Sequence, residues 1–379
     1  MKKKLIFIFP NEFTKKEYEK NSIQYFLKKN IEIEIWIVGK VVDSSFKLNK
    51  KIFFCNKDIK LLIVKSFKDL RHLLNNIKKL NYNYLIDLRI KLSLKSFRFF
   101  KIFFTHKLNY IIFPSLELTK ISKNFFLYLK FVNLIIKLKF LLNNIQIFPA
   151  KYVYIISQKS DIKNNLLISK NSKLIYGHHP DFDRYLEFKN KKNKKYKFKY
   201  FVFLDQNVPH HSDLKRFSIA DVDEKKYYES LLFFFKKLEK KFKYKFIISA
   251  HPRCDIKILK KYFNSRVSNQ SSIELIKNCE FVICHDSTAT NFAFLFNKSI
   301  VPVINNQLIN SDHPHKKEII SFCKRANLKL FNISKDNIDK IDLTINDKKY
   351  KDYIFKYIGI KQSFCNRVEK ILNNIEFIK

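Results

Sequence analysis

Residues 245–254 read KFIISAHPRC and residues 281–296 read FVICHDSTATNFAFLF. In each, an apolar run of strand length stops at a histidine and passes within a few residues into a helical pattern. Two such strand, turn and helix units in one half of a chain are the repeat from which a parallel α/β sheet is built. Working outward, the same half carries strand-like runs at Tyr200–Leu204 and Ile300–Ile304. Helical patterns lie near Glu224–Lys241, Ile256–Phe263, Ser271–Asn278 and Ser287–Phe296. The preceding half repeats the theme, with runs at Lys4–Phe9, Ile31–Val38, Lys51–Cys55, Tyr84–Leu88 and Tyr110–Phe113 and helical stretches at Thr14–Lys29, Asp69–Leu80 and Leu94–Phe104. The expectation is an α/β protein of two Rossmann-like domains facing across a cleft. The first would span 1–187 and the second 200–360, joined by a basic connector at 188–199 that holds seven lysines and no acid. A C-terminal helix in 361–379 would pack back on the first domain.

Composition narrows the function. The chain has 379 residues, 46% hydrophobic and 16% aromatic, which is too much apolar material for a disordered protein. Its three glycines (Gly39, Gly177, Gly359) are scattered, so neither a dinucleotide fingerprint nor a Walker A loop can form. The formal charge of +41 points to anionic partners, but only nine of the cations are arginines. Base readout favours arginine forks, so nucleic acid is not the expected partner, and the lysine excess reads largely as the codon usage of an AT-rich genome. Six cysteines without a CxxC pair give no disulfide framework and no structural zinc site, as expected of reduced thiols in the cytoplasm. The apolar run after the N-terminal lysines stops at Pro10, which reads as a first strand rather than a signal peptide, and no run is long enough to span a bilayer.

In open α/β sheets ligands bind beyond the carboxyl ends of the strands, so the residues just after each apolar run carry the chemistry. His251 and Arg253 follow one strand; an imidazole there can protonate a leaving phosphate and a guanidinium can offer it a planar fork, or the pair can be a plain His-Pro turn. His285, Asp286, Ser287 and Thr288 follow another. The two hydroxyls either cap the helix or, with the free backbone N–H groups, hold a phosphate at its positive end. Asp205, ending the first strand of the second domain, is expected to face the cleft, with His178, His179 and Asp181 lining the domain junction. A His-His pair with nearby Asp is a candidate zinc or manganese site, but adjacent histidines on an extended segment point opposite ways, so no metal is expected. For a base acting on an acceptor, the first domain offers Glu12 and Asp87, either of which can equally be a structural carboxylate, with Arg89 as partner for Asp87.

The His251-Pro252 and Ser287-Thr288 pairs, with the spacer Ser268–Ile283 between them, resemble the two-domain GT-B-fold bacterial glycosyltransferases that build capsule and lipopolysaccharide, in particular sialyltransferase-like and Kdo-transferase-like enzymes. The likeness covers mainly Tyr200–Ile304. It implies that His251 contacts the donor phosphate and assists departure of the nucleotide, that Ser287 and Thr288 bind that phosphate, and that Asn269, Gln270, Ser271 and Ser272 approach the base. It further implies a nucleotide-sugar donor, CMP-linked and acidic, a glycan or lipid-linked glycan acceptor, and no other cofactor. Phe292 stands where many relatives carry an acid for the ribose, and the acidic-acidic-Gly motif of several sialyltransferase families is absent. The catalytic base and the stereochemistry therefore stay open. CDP-glycerol-type phosphotransferases share the layout; a nucleotide-sugar epimerase of the same fold and a non-enzymatic basic anion-binding protein are the other readings.

One segment stands apart. In KNFFLYLKFVNLIIKLKFLLNN (Lys123–Asn144), Lys123, Lys130 and Lys137 recur every seven residues among apolar positions. The reading is either a core helix with one solvated edge or a helix lying on an anionic membrane, which would place the protein at the inner face of the plasma membrane.

Overall fold

The computed structural model describes residues 3–46, 54–79, 83–114, 123–156, 162, 165–191, 196–210, 222–251, 254–311, 313–359 and 366–375; at residues 16, 78–79, 123–129 and 314 only the backbone is described. The chain divides into two compact units, Met1–Pro180 with Gly359–Lys379, and Asp181–Ile358.

Alternating apolar residues build the first unit's sheet. Leu5, Phe7 and Phe9 feed one buried cluster and Ile6 and Ile8 another, so the first strand is buried on both faces, as parallel sheets require. The strands are β1 (Lys3–Phe9), β2 (Glu32–Ile37), β3 (Ile59–Ile63), β4 (Asn83–Leu88), β5 (Tyr110–Ile112), β6 (Tyr152–Ile155) and β7 (Lys173–Tyr176). They lie in the order β3-β2-β1-β4-β5-β6-β7, every neighbouring pair parallel. The second unit holds β8 (Tyr200–Leu204), β9 (Lys245–Ser249), β10 (Val267–Ser268), β11 (Phe281–Cys284), β12 (Ser299–Ile304) and β13 (Phe331–Asn332) in the parallel order β10-β9-β8-β11-β12-β13. Chain order reverses between β1 and β4 in one sheet and between β8 and β11 in the other, and such reversals are where open α/β sheets leave a ligand crevice.

Several elements differ from expectation. The third strand is Ile59–Ile63; of the expected Lys51–Cys55, Phe54 and Cys55 are irregular and the rest lies outside the described residues. The helix expected over Thr14–Lys29 is broken into Lys15–Lys20 and Ile23–Lys28 by Ser22 at φ 53°. The helix expected from Leu94 begins at Phe97, because Ser96 Oγ donates to Lys91 O and accepts from Ser93 N in a turn before it. β6 and β7 have no counterpart among the expected strands.

The units meet in sequence at Pro180/Asp181 rather than after Glu187. The helix Pro180–Phe188 gives its residues from Asp181 onward to the second unit. Phe182 joins that unit's core, Tyr185 packs edge-on against Phe296 at 5.0 Å, and Asp181 accepts from Asn291 Nδ2 at 2.8 Å. The lysine run thus lies inside the second unit, where Lys277 Nζ donates to Phe188 O, and residues 192–195 are outside the described set. The C-terminal helix Arg367–Asn374 belongs to the first unit: Val368 and Ile371 enter its core, and the buried Arg367 donates to Lys20 O at 2.7 Å.

Candidate active site

In the second unit, four strand ends carry the polar residues. After β8, Asp205 is buried beside the reversal point. Its carboxylate accepts from Asn207 N at 3.1 Å, and burial pushes its pKa up to about 6, against the pull of the Asn207, His251 and Gln206 backbone amides. Asp205 N also donates to Ser249 O at 3.1 Å, and Cys254 N donates to His251 O at 2.9 Å. The Asp205 carboxylate and the His251 backbone are thus electrostatically linked across adjacent strands, the imidazole being carried on a half-buried residue at the sheet edge. Arg253 and Pro252 lie outside the described residues.

After β10, Asn269 is exposed and Gln270, Ser271 and Ser272 are half-buried. Part of this segment serves the fold: Ser271 and Glu274 form a reciprocal capping box, Ser268 Oγ accepts from Gln270 N at 3.2 Å, and Ser272 Oγ lies 2.8 Å from Ser249 Oγ.

The loop after β11 separates by role. His285, expected at the donor, is fully buried: Nδ1 donates to Val303 O at 2.7 Å, Nε2 accepts from Tyr227 Oη at 2.6 Å, and burial pushes its pKa down to about 4. Both ring nitrogens are engaged in the core, so the side chain has none to offer a ligand. Ser287 and Thr288 precede the helix Thr290–Leu295 instead of opening it. Ser287 Oγ accepts from Ala289 N at 3.3 Å and Thr290 Oγ1 donates to Ser287 O, which folds the turn and leaves Thr288 exposed.

Asp286 joins two residues that the sequence reading did not single out. His315 Nδ1 donates to Asp286 Oδ2 at 3.1 Å and lies 3.2 Å from Glu318 Oε2. Burial opposes charging His315, but the hydrogen bonds and charges of the two carboxylates outweigh it and raise its pKa to about 9. His313 stacks on His315 at 5.1 Å, accepts from His315 N and donates through Nε2 to Val208 O at 3.2 Å. The signal was present in the sequence as SDHPHKKE, with His315 and Glu318 one helical turn apart. The ligand atoms of Asp286, His315 and Glu318 lie within 4.8 Å of one another, the spacing a metal ion would need. Here His315 Nδ1 lies between the two carboxylates, within ion-pair distance of both.

In the first unit, Glu12 follows β1 and is half-buried, and Asp87 lies in β4, the strand beside it. Arg89 grips both Asp87 oxygens, with Nη2 to Oδ2 at 2.8 Å, and stacks at 3.7 Å over Phe113. Burial raises the Asp87 carboxyl and Arg89 draws it back, so Asp87 is a buried ion-pair partner with both oxygens engaged. His178 and His179 belong to the first unit and Asp181 to the second. His178 is buried, pairs as an isolated antiparallel bridge with Gly359, and exchanges backbone hydrogen bonds with Tyr154 Oη.

No protein-family model matches the sequence, and neither does any curated protein. Solved structures are similar in fold. A putative UDP-N-acetylglucosamine 2-epimerase from Listeria monocytogenes aligns over 96% of this chain and 94% of its own at 12% identity and a TM-score of 0.50. The UDP-GlcNAc 2-epimerase from Methanocaldococcus jannaschii aligns over 98% and 99% at 14% identity and a TM-score of 0.48. The glycosyltransferase SnogD from Streptomyces nogalater aligns over 88% and 87% at 9% identity and a TM-score of 0.44. With its two parallel sheets of seven and six strands, the chain has the α/β GT-B fold, in likeness to the Listeria protein.

Proposed function

We propose that the protein is a nucleotide-sugar-dependent glycosyltransferase whose second unit binds the donor. The observation that carries this reading is the convergence of Asp205, His251, Asp286, Ser287 and Thr288 on the carboxyl ends of β8, β9 and β11, around the reversal of strand order. In this reading the Ser287 and Thr288 hydroxyls bond the donor phosphate, with Arg253 as its cationic partner. His251 hydrogen-bonds the leaving oxygen. The bond from the anomeric carbon to the phosphate oxygen breaks with its electron pair going to that oxygen, while an acceptor hydroxyl bonds the carbon and gives up its proton. Asp205 is a positioning residue that fixes the His251 backbone. With Asp87 held by Arg89, Glu12 is the first-unit carboxylate proposed to take the acceptor proton.

The donor we propose is a CMP-linked acidic sugar, on the resemblance of the His-Pro and Ser-Thr pairs and on the large positive charge, which favours an anionic donor. The acceptor we propose is a glycan of the cell surface. Thermal shift of the full chain against CMP, UDP and GDP and their sugars, with and without EDTA, tests the donor. Stabilisation by CMP that survives EDTA is expected; stabilisation by UDP alone would reassign the base. His251→Ala is expected to retain nucleotide binding and lose transfer by at least about 100-fold. Full transfer activity in that variant would overturn the assignment. Turnover of a nucleotide sugar without any acceptor would favour the epimerase reading.

A further inference from the structure

We propose that the outward face of the helix Lys123–Leu142, from Lys130 onward, is a docking surface for an anionic lipid bilayer. The proposal stands on features of the first unit alone and is independent of the nucleotide-sugar reading.

The helix has two apolar faces, and among the described residues only one of them packs into the first unit's core. Ile136 and Phe140 are buried and Val132 packs beside them; Phe140 meets Phe97 at 4.7 Å and Phe104 at 5.3 Å between ring centroids. The other face bears Phe131, Leu134, Leu138, Leu141 and Leu142, which are 61, 52, 46, 70 and 81% exposed. Their spacing of three, four, three and one residues keeps them on one side of the helix. At about 100° per residue, Lys130 and Lys137 fall along one border of this apolar strip and Lys139 along the other. All three lysines are exposed. Scattered exposed apolar side chains are ordinary, but a continuous strip of five with cations on both borders is the layout of a helix lying in the boundary between headgroups and acyl chains. Leucine and phenylalanine enter the acyl region while lysine stems extend back to phosphate.

Charge selects the occupant. Residues 88–160 contain thirteen lysines and arginines and a single acid, Glu117. A second copy of the chain would bring the same excess against itself, since the whole protein carries +41. An anionic bilayer offers both the opposite charge and the apolar phase. Among the described residues no helix is long and apolar enough to cross a membrane, so the contact is one that lies in the surface.

The test is flotation of the full chain with vesicles of phosphatidylcholine alone and of phosphatidylcholine mixed with phosphatidylglycerol. Binding to the mixed vesicles is expected, weakening with salt. The variant Leu138→Ser/Leu142→Ser leaves net charge unchanged and alters only exposed positions; it should bind about 100-fold more weakly, roughly tenfold for each leucine withheld from the acyl region. Lys130→Gln/Lys137→Gln should weaken binding by roughly fivefold per lysine. Phe131→Trp adds an indole on the strip, and its fluorescence should be quenched by lipid brominated in the acyl chains, whereas the buried Trp36 should not respond. The proposal is overturned if the serine variant binds as tightly as the parent, which would mean diffuse adhesion of a cationic protein. It is equally overturned if mixed vesicles do not bind, or if the parent self-associates through this face and the serine variant does not.

Discussion

Deprotonating His315 should destabilise the second unit, and the size of the loss follows from its surroundings. The imidazole donates to Asp286 and lies 3.2 Å from Glu318, and its pKa in the folded chain is about 9 against 6.5 for a free histidine. A raised folded pKa means that the folded state binds the proton more tightly than the unfolded state. The stabilisation is therefore complete below pH 6.5 and disappears as the pH rises through about 9. At about 1.36 kcal/mol per pH unit the interval corresponds to roughly 3 kcal/mol. Burial raises the Asp286 carboxyl as well, a cost that lowers net stability without changing the size of the loss across this interval. Urea unfolding of the full chain and of His315→Gln, each across this pH range, isolates the contribution, because the difference between the two cancels every titrating group that does not touch His315. The two units can unfold separately, so the transition to follow is the one that His315→Gln shifts. A difference that stays flat across the range, or that grows with pH, would refute the ion-pair geometry at the β11 loop.

Three further outcomes are expected. Adding a Cβ at Gly177 would drive it into the ring and hydroxyl of buried Tyr154, so Gly177→Ala should destabilise the first unit by about 1–3 kcal/mol, measured as a lowered urea midpoint. Phe140→Ala should cost about 3–5 kcal/mol while Leu141→Ala stays within about 0.5 kcal/mol, since adjacent residues of one helix face the core and the outside; equal losses would mean that the outward strip is covered. If Asp205 must be ionised to hold the His251 backbone, transfer activity should rise with pH through about 6. Asp205→Asn should remove that rise, and a variant that retained it would assign the titration to another group.

The second unit was the more legible half. β8 and β11 and the helix Ile256–Phe263 fall where the apolar runs and caps place them, because a strand buried on both faces must be apolar throughout and leaves little choice of boundary. The first unit was harder. Ser22 breaks a helix with a left-handed backbone that serine gives no warning of, and β7 begins and ends on exposed residues and buries only Ile175, so it offers no apolar run to read.

For the site, sequence by itself determined which residues follow the strands, since a parallel sheet sends every strand's carboxyl end to one edge. It also determined what chemistry was excluded, since three scattered glycines cannot form a phosphate loop. Tertiary structure alone decided what those residues touch. His285 and Asp286 are neighbours in sequence, yet one is locked between Tyr227 and Val303 and the other meets His315 from a helix 29 residues away. Burial and partner are properties of packing between distant segments, and no local pattern encodes them. The same holds for the helix Lys123–Leu142: its sequence is apolar on both sides, and only the packing of Phe97 and Phe104 against Phe140 fixes which side is core.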